Sequence, residues 1–372
     1  MRTVSHAIAT MSAGTSREVI SHHFGSAEIE KKVYIQSSLH SDEIPGMLVS
    51  HYLHASLTQL ENEGNILGQI VLVPVANPIG LAQDIQGTVF GRFDLATGIN
   101  FNRGYRAVSE DLIPLIESQL SDDPLENQRI IRRESIKLIN AWAPKSQSDM
   151  LKKYLQTMAM DADIVLDLHC DNQASMHLYT GTPLAEMTMP LSRYLGARAL
   201  LLSELSGDDP FDESCSRPWW ELARHFADQF PIPLGCQSIT VELRGETDLS
   251  HELASADADA IIQFLIHSGH IKGTAKPLPE PLCKATPLEG SEPINAPHAG
   301  VLVFSKETGD LVKAGEKIAD LIDPITFQIT PLISSVEGVM FARVARRYVH
   351  SGTSVAKVAG EFAFRTGNLL SM

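Results

Sequence analysis

The sequence predicts an α/β fold: a sheet covered by helices on both faces, with a small β domain appended at the carboxyl end. Three observations carry this. Short continuous apolar runs such as "QIVLVPV" (69–75) and "DADIVLDLH" (161–169) read as strands buried on both faces. Segments of helical periodicity lie between or after them. From about residue 276 the texture changes to a proline-rich link and then to short strands punctuated by glycine turns.

Along the chain, "VYIQSS" (33–38) is the first predicted strand. "PGMLVSHYLHASLTQLENEGN" follows as a helix, with Pro45 at its first position, where a missing N–H costs nothing, and Gly64 near its end. Residues 69–75 return as a strand. Residues 104–160, mostly helical and polar ("ENQRIIRRESIKLINAW"), read as an insertion. Strands at 161–169, "RALLLSEL" (198–205) and "QSITVEL" (237–243) then alternate with helices in "RPWWELARHFADQF" and "SADADAIIQFLIHSG". The boundary falls at 275, giving a large α/β domain over 1–275 and a small β domain over 276–372. Trp219 and Trp220 in the first of those helices read as core packing in preference to a specificity wall beside Arg217.

Composition narrows the function classes. The 372 residues, 44% of them hydrophobic, suffice to bury a core. With 45 acidic against 30 basic residues the net charge is −15, a field that repels phosphate backbones and argues against nucleic acid as a partner. The four cysteines, Cys170, Cys215, Cys236 and Cys283, show no CxxC spacing and read as reduced thiols. No apolar run has the length of a signal peptide core or a membrane span, so a cytoplasmic protein with no membrane partner is expected.

In open α/β sheets ligands bind beyond the carboxyl ends of the strands. His40 with Glu43, His169 and Glu242 all fall at such ends. A turn leading into a helix can aim His40 and Glu43, three apart, at one point, and His169 closes its own strand. Two imidazoles and one carboxylate form the ligand set of a catalytic zinc, with a fourth position left for water. Of 14 histidines only His40 has a Glu three residues on. His225 with Asp228 reads as helix surface, His51 and His54 as one helix face, and His177 as a satisfied core residue. The loop "GRFDLATGINFNRGYR" (91–106) adds Arg92 and the pair Asn102-Arg103. Planar guanidinium groups bind carboxylates in a bidentate way, so two arginines near a metal suggest an anionic substrate.

Taken in order, His40-x-x-Glu43, Arg92, Asn102-Arg103, "DLH" ending at His169 and "TVEL" with Glu242 resemble the succinylglutamate desuccinylase and aspartoacylase family, over roughly residues 30–270. The resemblance implies a zinc-carboxypeptidase-like mixed sheet flanked by helices. It implies one Zn2+ per chain held by His40, Glu43 and His169. It also implies that Asn102 and Arg103 bind a substrate carboxylate, that Arg92 lies near the scissile carbonyl, and that Glu242 is the general base. The family commonly has an Asp two residues before the Asn-Arg pair, where this chain has Asn100, a neutral and weaker acceptor for a ligating histidine. The stretch "INAPHAGVLVFSKETGDLVKAGEKIADLID" resembles the half-barrel of biotinyl and lipoyl carrier domains, but the turn after "SSVEG" offers no lysine, which points to a structural β module.

The activity so implied is hydrolysis of an amide bond in a small carboxylate-bearing substrate, an N-acyl amino acid. Two alternatives stand beside it: a zinc carboxypeptidase acting on peptides, and a non-catalytic zinc- or ligand-binding relative. A base beside the metal argues against the second.

Overall fold

A nine-stranded mixed sheet forms the centre of the molecule, seen here in a computed structural model that describes residues 1–10, 12–367 and 369. Its middle is parallel: Gln69–Val73, Lys32–Ser37, Ile164–Asp171 and Gln237–Gly245 lie side by side in that order. His177–Thr180 then pairs antiparallel to Gln237–Gly245, and Ala199–Leu202 and Ala285–Pro287 complete that edge. On the opposite edge the antiparallel hairpin Arg2–Ile8 and Arg17–Gly25 pairs with Gln69–Val73. The predicted strands all appear, within a few residues of their expected bounds. The amino-terminal hairpin was not foreseen.

Alternation along the strands divides the core into two layers. Val33, Ile35, Ile70, Leu72, Ile164, Leu166, Ile239 and Val241 face one cluster, which the helices Pro45–Asn62 and His251–His267 cover. Tyr34, Val71, Val73 and Val165 face the other, covered by Pro124–Ala141, Gln147–Ala159 and Phe211–His225. Burial on both faces is why these strands read as unbroken apolar runs. On the second face, however, the strand positions turn polar toward the carboxyl ends: Tyr34 gives way to Gln36 and Val165 to Asp167 and His169, while Gln237–Gly245 presents Ser238, Thr240 and then the charged Glu242. The fold therefore gathers its chemistry at one end of one face.

The helix at Pro45–Asn62 starts as expected with proline in its first turn, and Gly64 takes φ +68° just beyond its end, a conformation that costs glycine little. Residues 104–160 hold the helices Ser109–Ile116, Pro124–Ala141 and Gln147–Ala159. Helix Phe211–His225 begins earlier than expected and carries Pro218 inside it. Trp219 and Trp220 on it are 1% and 4% exposed and lie in the core.

Beyond Ala285–Pro287 the chain builds two smaller sheets, Ser291–Asn295, Ser354–Gly360, Gly338–Arg343 and Leu311–Val312 in one, and Ile329–Ile333, Lys317–Ile322, Gly300–Phe304 and Tyr348–Val349 in the other. Strand Gly338–Arg343 also pairs with Gln173–Ala174, just past the end of Ile164–Asp171. That pairing, with a shared cluster that includes Leu201, Leu288, Phe341 and Leu369, seats the module against the carboxyl ends of the central strands.

Candidate active site

Strand Lys32–Ser37 is followed by Ser38, which adopts φ +63° and turns the chain away from the sheet. The turn that follows is pinned at three points: Asn77 Nδ2 donates to Leu39 O at 2.8 Å, Ser41 Oγ donates to Asn77 O at 2.7 Å, and Glu43 N donates to His40 O at 3.2 Å. His40 and Glu43, 3% and 5% exposed, are thereby aimed at His169, the sixth residue of strand Ile164–Asp171. Ligand atoms of the three residues all lie within 4.8 Å of one another, and among the described residues no other group of three does this. His40 Nδ1 is 2.9 Å from Glu43 Oε1, and His169 Nδ1 is 2.7 Å from Glu43 Oε2.

The protons can be placed. Asn100 Oδ1 accepts from Asn102 N at 2.9 Å, so the oxygen of that amide is identified, and His40 Nε2–H must be the donor to it at 2.8 Å. Burial first, then the Arg92 guanidinium, lowers the His40 imidazole to about 4. A neutral His40 with its proton on Nε2 turns a lone pair toward an anionic carboxylate oxygen, a repulsive contact unless a positive charge lies between. Arg92 Nη1, 3.3 Å from both atoms, supplies part of that charge. His169 supplies the rest: burial opposes its ionisation, but Asp167 at Nε2 (2.9 Å) and Glu43 at Nδ1 together raise the imidazole well above its ordinary range. The two histidines in turn hold the Glu43 carboxyl well below its usual range despite burial. Once His169 gives up its Nδ1 proton, two imidazole lone pairs and the Glu43 carboxylate face one point, and that donor set suits zinc.

Glu242 stands directly beside His169, because strand Gln237–Gly245 pairs with Ile164–Asp171 in that register. Side chains opposite each other in adjacent strands emerge on the same face. Its Oε2 is buried without a hydrogen-bond partner, and burial, followed by the Glu43 charge, pushes its carboxyl up to about 8. A carboxyl so placed exchanges its proton close to neutral pH.

The loop carrying Arg92 rests on the turn carrying His40. Ser41 N donates to Gly91 O at 3.2 Å, and Phe101 N donates to Arg92 O at 3.1 Å. A Cβ on Gly91 would sit 2.3 Å from Asp42 N and 2.5 Å from Ser41 N. Both are backbone atoms, so neither can rotate away. Gly91→Ala is accordingly expected to push the Arg92 loop and the His40–Glu43 turn apart, lowering metal content and lowering kcat by roughly tenfold or more. Wild-type metal content and kcat in this variant would show that this close approach does not position the site.

Asn102 and Arg103, 7% and 8% exposed, line the same cavity. Asn102 Oδ1 accepts from Phe211 N at 2.9 Å, at the start of helix Phe211–His225, which fixes the amide so that its NH2 is the group left for a ligand. Arg103 Nη1 donates to Asn102 O at 2.6 Å. The cavity has a volume of about 570 Å³, suited to a small molecule. Its wall completes the set expected from sequence, bringing together His40, Glu43, Arg92, Asn102, Arg103, His169 and Glu242.

Other residues of the wall were not foreseen. Tyr179, half-buried beside Thr180, lines it from strand His177–Thr180. Arg343, Lys357 and Arg365 reach it from the carboxyl-terminal module. Lys357 Nζ donates to Asp171 Oδ2 at 2.8 Å, tying the module to the strand of His169. Asp167 was within reach of a reading by strand periodicity, since it precedes His169 by two and shares its face. Arg217 lies in a separate surface pocket with Trp142 and Glu221.

Comparison with known proteins agrees with this geometry. The profile of the succinylglutamate desuccinylase/aspartoacylase catalytic domain matches residues 29–268. A succinylglutamate desuccinylase/aspartoacylase family protein from Shewanella amazonensis SB2B has a crystal structure with a TM-score of 0.84 at 27% identity, covering 96% of this chain and 98% of that one. A counterpart described under the same two enzyme names, from Shewanella frigidimarina NCIMB 400, gives 0.84 at 26% identity, covering 96% and 97%. The N-alpha-acetyl-L-2,4-diaminobutyric acid deacetylase of Halomonas elongata is 24% identical over 208 residues, 53% of this chain and 56% of that protein. The chain thus spans little more than half the length of that curated relative.

Proposed function

The chain belongs to the succinylglutamate desuccinylase/aspartoacylase family, and we propose that it is a zinc-dependent hydrolase that removes the acyl group from a small, carboxylate-bearing N-acyl amino acid. The observation that carries this reading is the buried His40–Glu43–His169 cluster with Glu242 in register beside it, inside one cavity with Asn102 and Arg103. His40, Glu43 and His169 would hold the zinc, one per chain. Bound there, zinc would lower the pKa of a water toward about 7 and polarise a carbonyl.

The chain's own residues do the rest. Arg103, with the Asn102 amide, binds the substrate carboxylate and so decides which bond meets the cluster. Glu242 takes a proton from the attacking water and later returns it to the leaving amine. Arg92 faces the oxyanion of the tetrahedral intermediate, a contribution commonly of a few kcal/mol per donor. Tyr179, on the cavity wall from the strand paired with that of Glu242, is placed to contact a bound substrate. In this reading residues 1–275 carry the catalytic groups, and the module over 276–372 closes the cleft, admitting small molecules in preference to peptides. No helix among the described residues is long and apolar enough to cross a membrane, which accords with a cytoplasmic enzyme.

A hydrolysis screen of N-acyl amino acids and of carboxyl-terminal peptides, with zinc-loaded protein, tests the proposal. Turnover of the first set and not the second is expected. Arg103→Ala should lower kcat/KM on the best substrate by roughly 10- to 100-fold, the range for losing a hydrogen bond to a charged group. Arg103→Lys should not restore it, because lysine lacks the planar fork. Peptide turnover alone would make the enzyme a carboxypeptidase, and turnover of neither set would make it a binding protein.

A further inference from the structure

We propose that Tyr34 and Gln36, through Asp167, are positioning residues that set the orientation and proton of His169, and so tune zinc affinity from the interior of the sheet. This rests on the reading of His169 as a zinc ligand. The four side chains form one buried chain of contacts. Tyr34 Oη donates to Gln36 Oε1 at 2.9 Å, Gln36 Nε2 donates to Asp167 Oδ1 at 2.9 Å, and Asp167 Oδ2 lies 2.9 Å from His169 Nε2 in a bent ion-pair contact. Tyr34, Gln36 and Asp167 are each 0% exposed, and His169 is 2% exposed. Strand register places Gln36 directly opposite Asp167.

Chemistry gives the chain a direction. A phenol hydroxyl donating to Gln36 Oε1 leaves the amide one orientation, with Nε2 toward Asp167. An amide nitrogen cannot accept, so Asp167 Oδ1 receives a proton donor and carries none itself. The second carboxylate oxygen lies 2.9 Å from His169 Nε2, so when His169 gives up one proton to a metal the Nε2 proton is the one retained, and the Nδ1 lone pair is left toward the metal position. Asn100 performs the same service for His40 in a single, neutral step. For His169 the support is anionic and extends three residues deep.

The positions themselves argue for a role beyond folding. On the opposite face of the same strand, Val33 and Ile35 are apolar and fully buried, as central strands require. A buried glutamine is costly unless every polar atom is paired, and leucine would fill much the same volume without that demand. Outer partners that orient a ligating histidine typically change metal affinity by about 10- to 100-fold when removed.

The test compares wild type, Tyr34→Phe, Gln36→Leu, the double variant and Ile35→Val, whose side chain faces the other layer. Zinc dissociation constants are measured by competition with a chromophoric chelator, and Tm is measured for each protein. Gln36→Leu is expected to weaken zinc binding about 10- to 100-fold, and Tyr34→Phe by a smaller factor. The double variant should bind no more weakly than Gln36→Leu alone, because both act through one Asp167 oxygen. Ile35→Val should lower Tm and leave the zinc constant within about twofold, since its side chain packs in the opposite core layer. Wild-type zinc constants in Tyr34→Phe and Gln36→Leu, with lowered Tm, would overturn the proposal and leave the chain a structural network. Should Gln36→Leu fail to fold, Tyr34→Phe decides alone. Failure of the wild type to bind zinc would overturn the zinc assignment itself, and this inference with it.

Discussion

His169→Ala is expected to reduce zinc in the purified protein from about one per chain to less than roughly a tenth of that, because a three-ligand site cannot spare one. Elemental analysis of wild type and variant after dialysis measures it. The expectation is specific to this histidine. His177, two strands along the sheet, donates from Nδ1 to Ser175 O at 2.8 Å and stands outside the cluster. Removing His169 also deprives two buried carboxylates, Glu43 and Asp167, of the group between them. A lower Tm is therefore expected alongside the lost metal, since an unpaired buried charge is destabilising. His169→Gln separates the two effects: its amide can still donate to one carboxylate but does not replace imidazole as a zinc ligand. Equal zinc in wild type and His169→Gln would remove His169 from the ligand set.

The parts of this site that could be read from sequence are those whose signal is local. His40 and Glu43 announce themselves by their spacing at the end of an apolar strand, and His169 by closing another. Asn100 was legible as a substitution, and its oxygen does accept from His40 Nε2. What escaped depends on register or on distant chain. That Gln36 meets Asp167 follows from how two strands separated by more than a hundred residues are aligned. Arg343, Lys357 and Arg365 enter the cavity because the carboxyl-terminal module docks on distant chain, through the pairing of Gly338–Arg343 with Gln173–Ala174 and a shared apolar cluster. The hairpin Arg2–Ile8 and Arg17–Gly25 escaped for a different reason. It lies at the sheet edge, where "RTVSHAI" and "REVISHHFG" are mostly polar and present no continuous apolar run.

Glu242→Gln is expected to retain about one zinc per chain and lose at least about a hundredfold in turnover, within the range for removing general acid–base catalysis. A carboxylate beside the metal ligands has two roles open to it, fourth ligand or base, and zinc content separates them. A fourth protein ligand would close the position that catalysis needs open. Glutamine keeps the size of the side chain and abolishes its proton affinity, so packing cannot account for such a loss. Stability gives an independent check, with zinc removed from both proteins. Burial and the Glu43 charge raise the Glu242 carboxyl from 4.5 to about 8 in the folded chain. A raised acid means that the unfolded state ionises first, so wild type loses stability as pH rises from about 4.5 toward 8 and keeps that deficit above it. Glutamine has no charge to bury, so its Tm should decline less over the same interval. Turnover should show the matching sign: activity that depends on ionised Glu242 falls as pH drops, and the residual activity of the glutamine variant should lack that acid limb. Loss of zinc in Glu242→Gln would make this residue a ligand, and retained turnover with retained zinc would move the base elsewhere in the cavity.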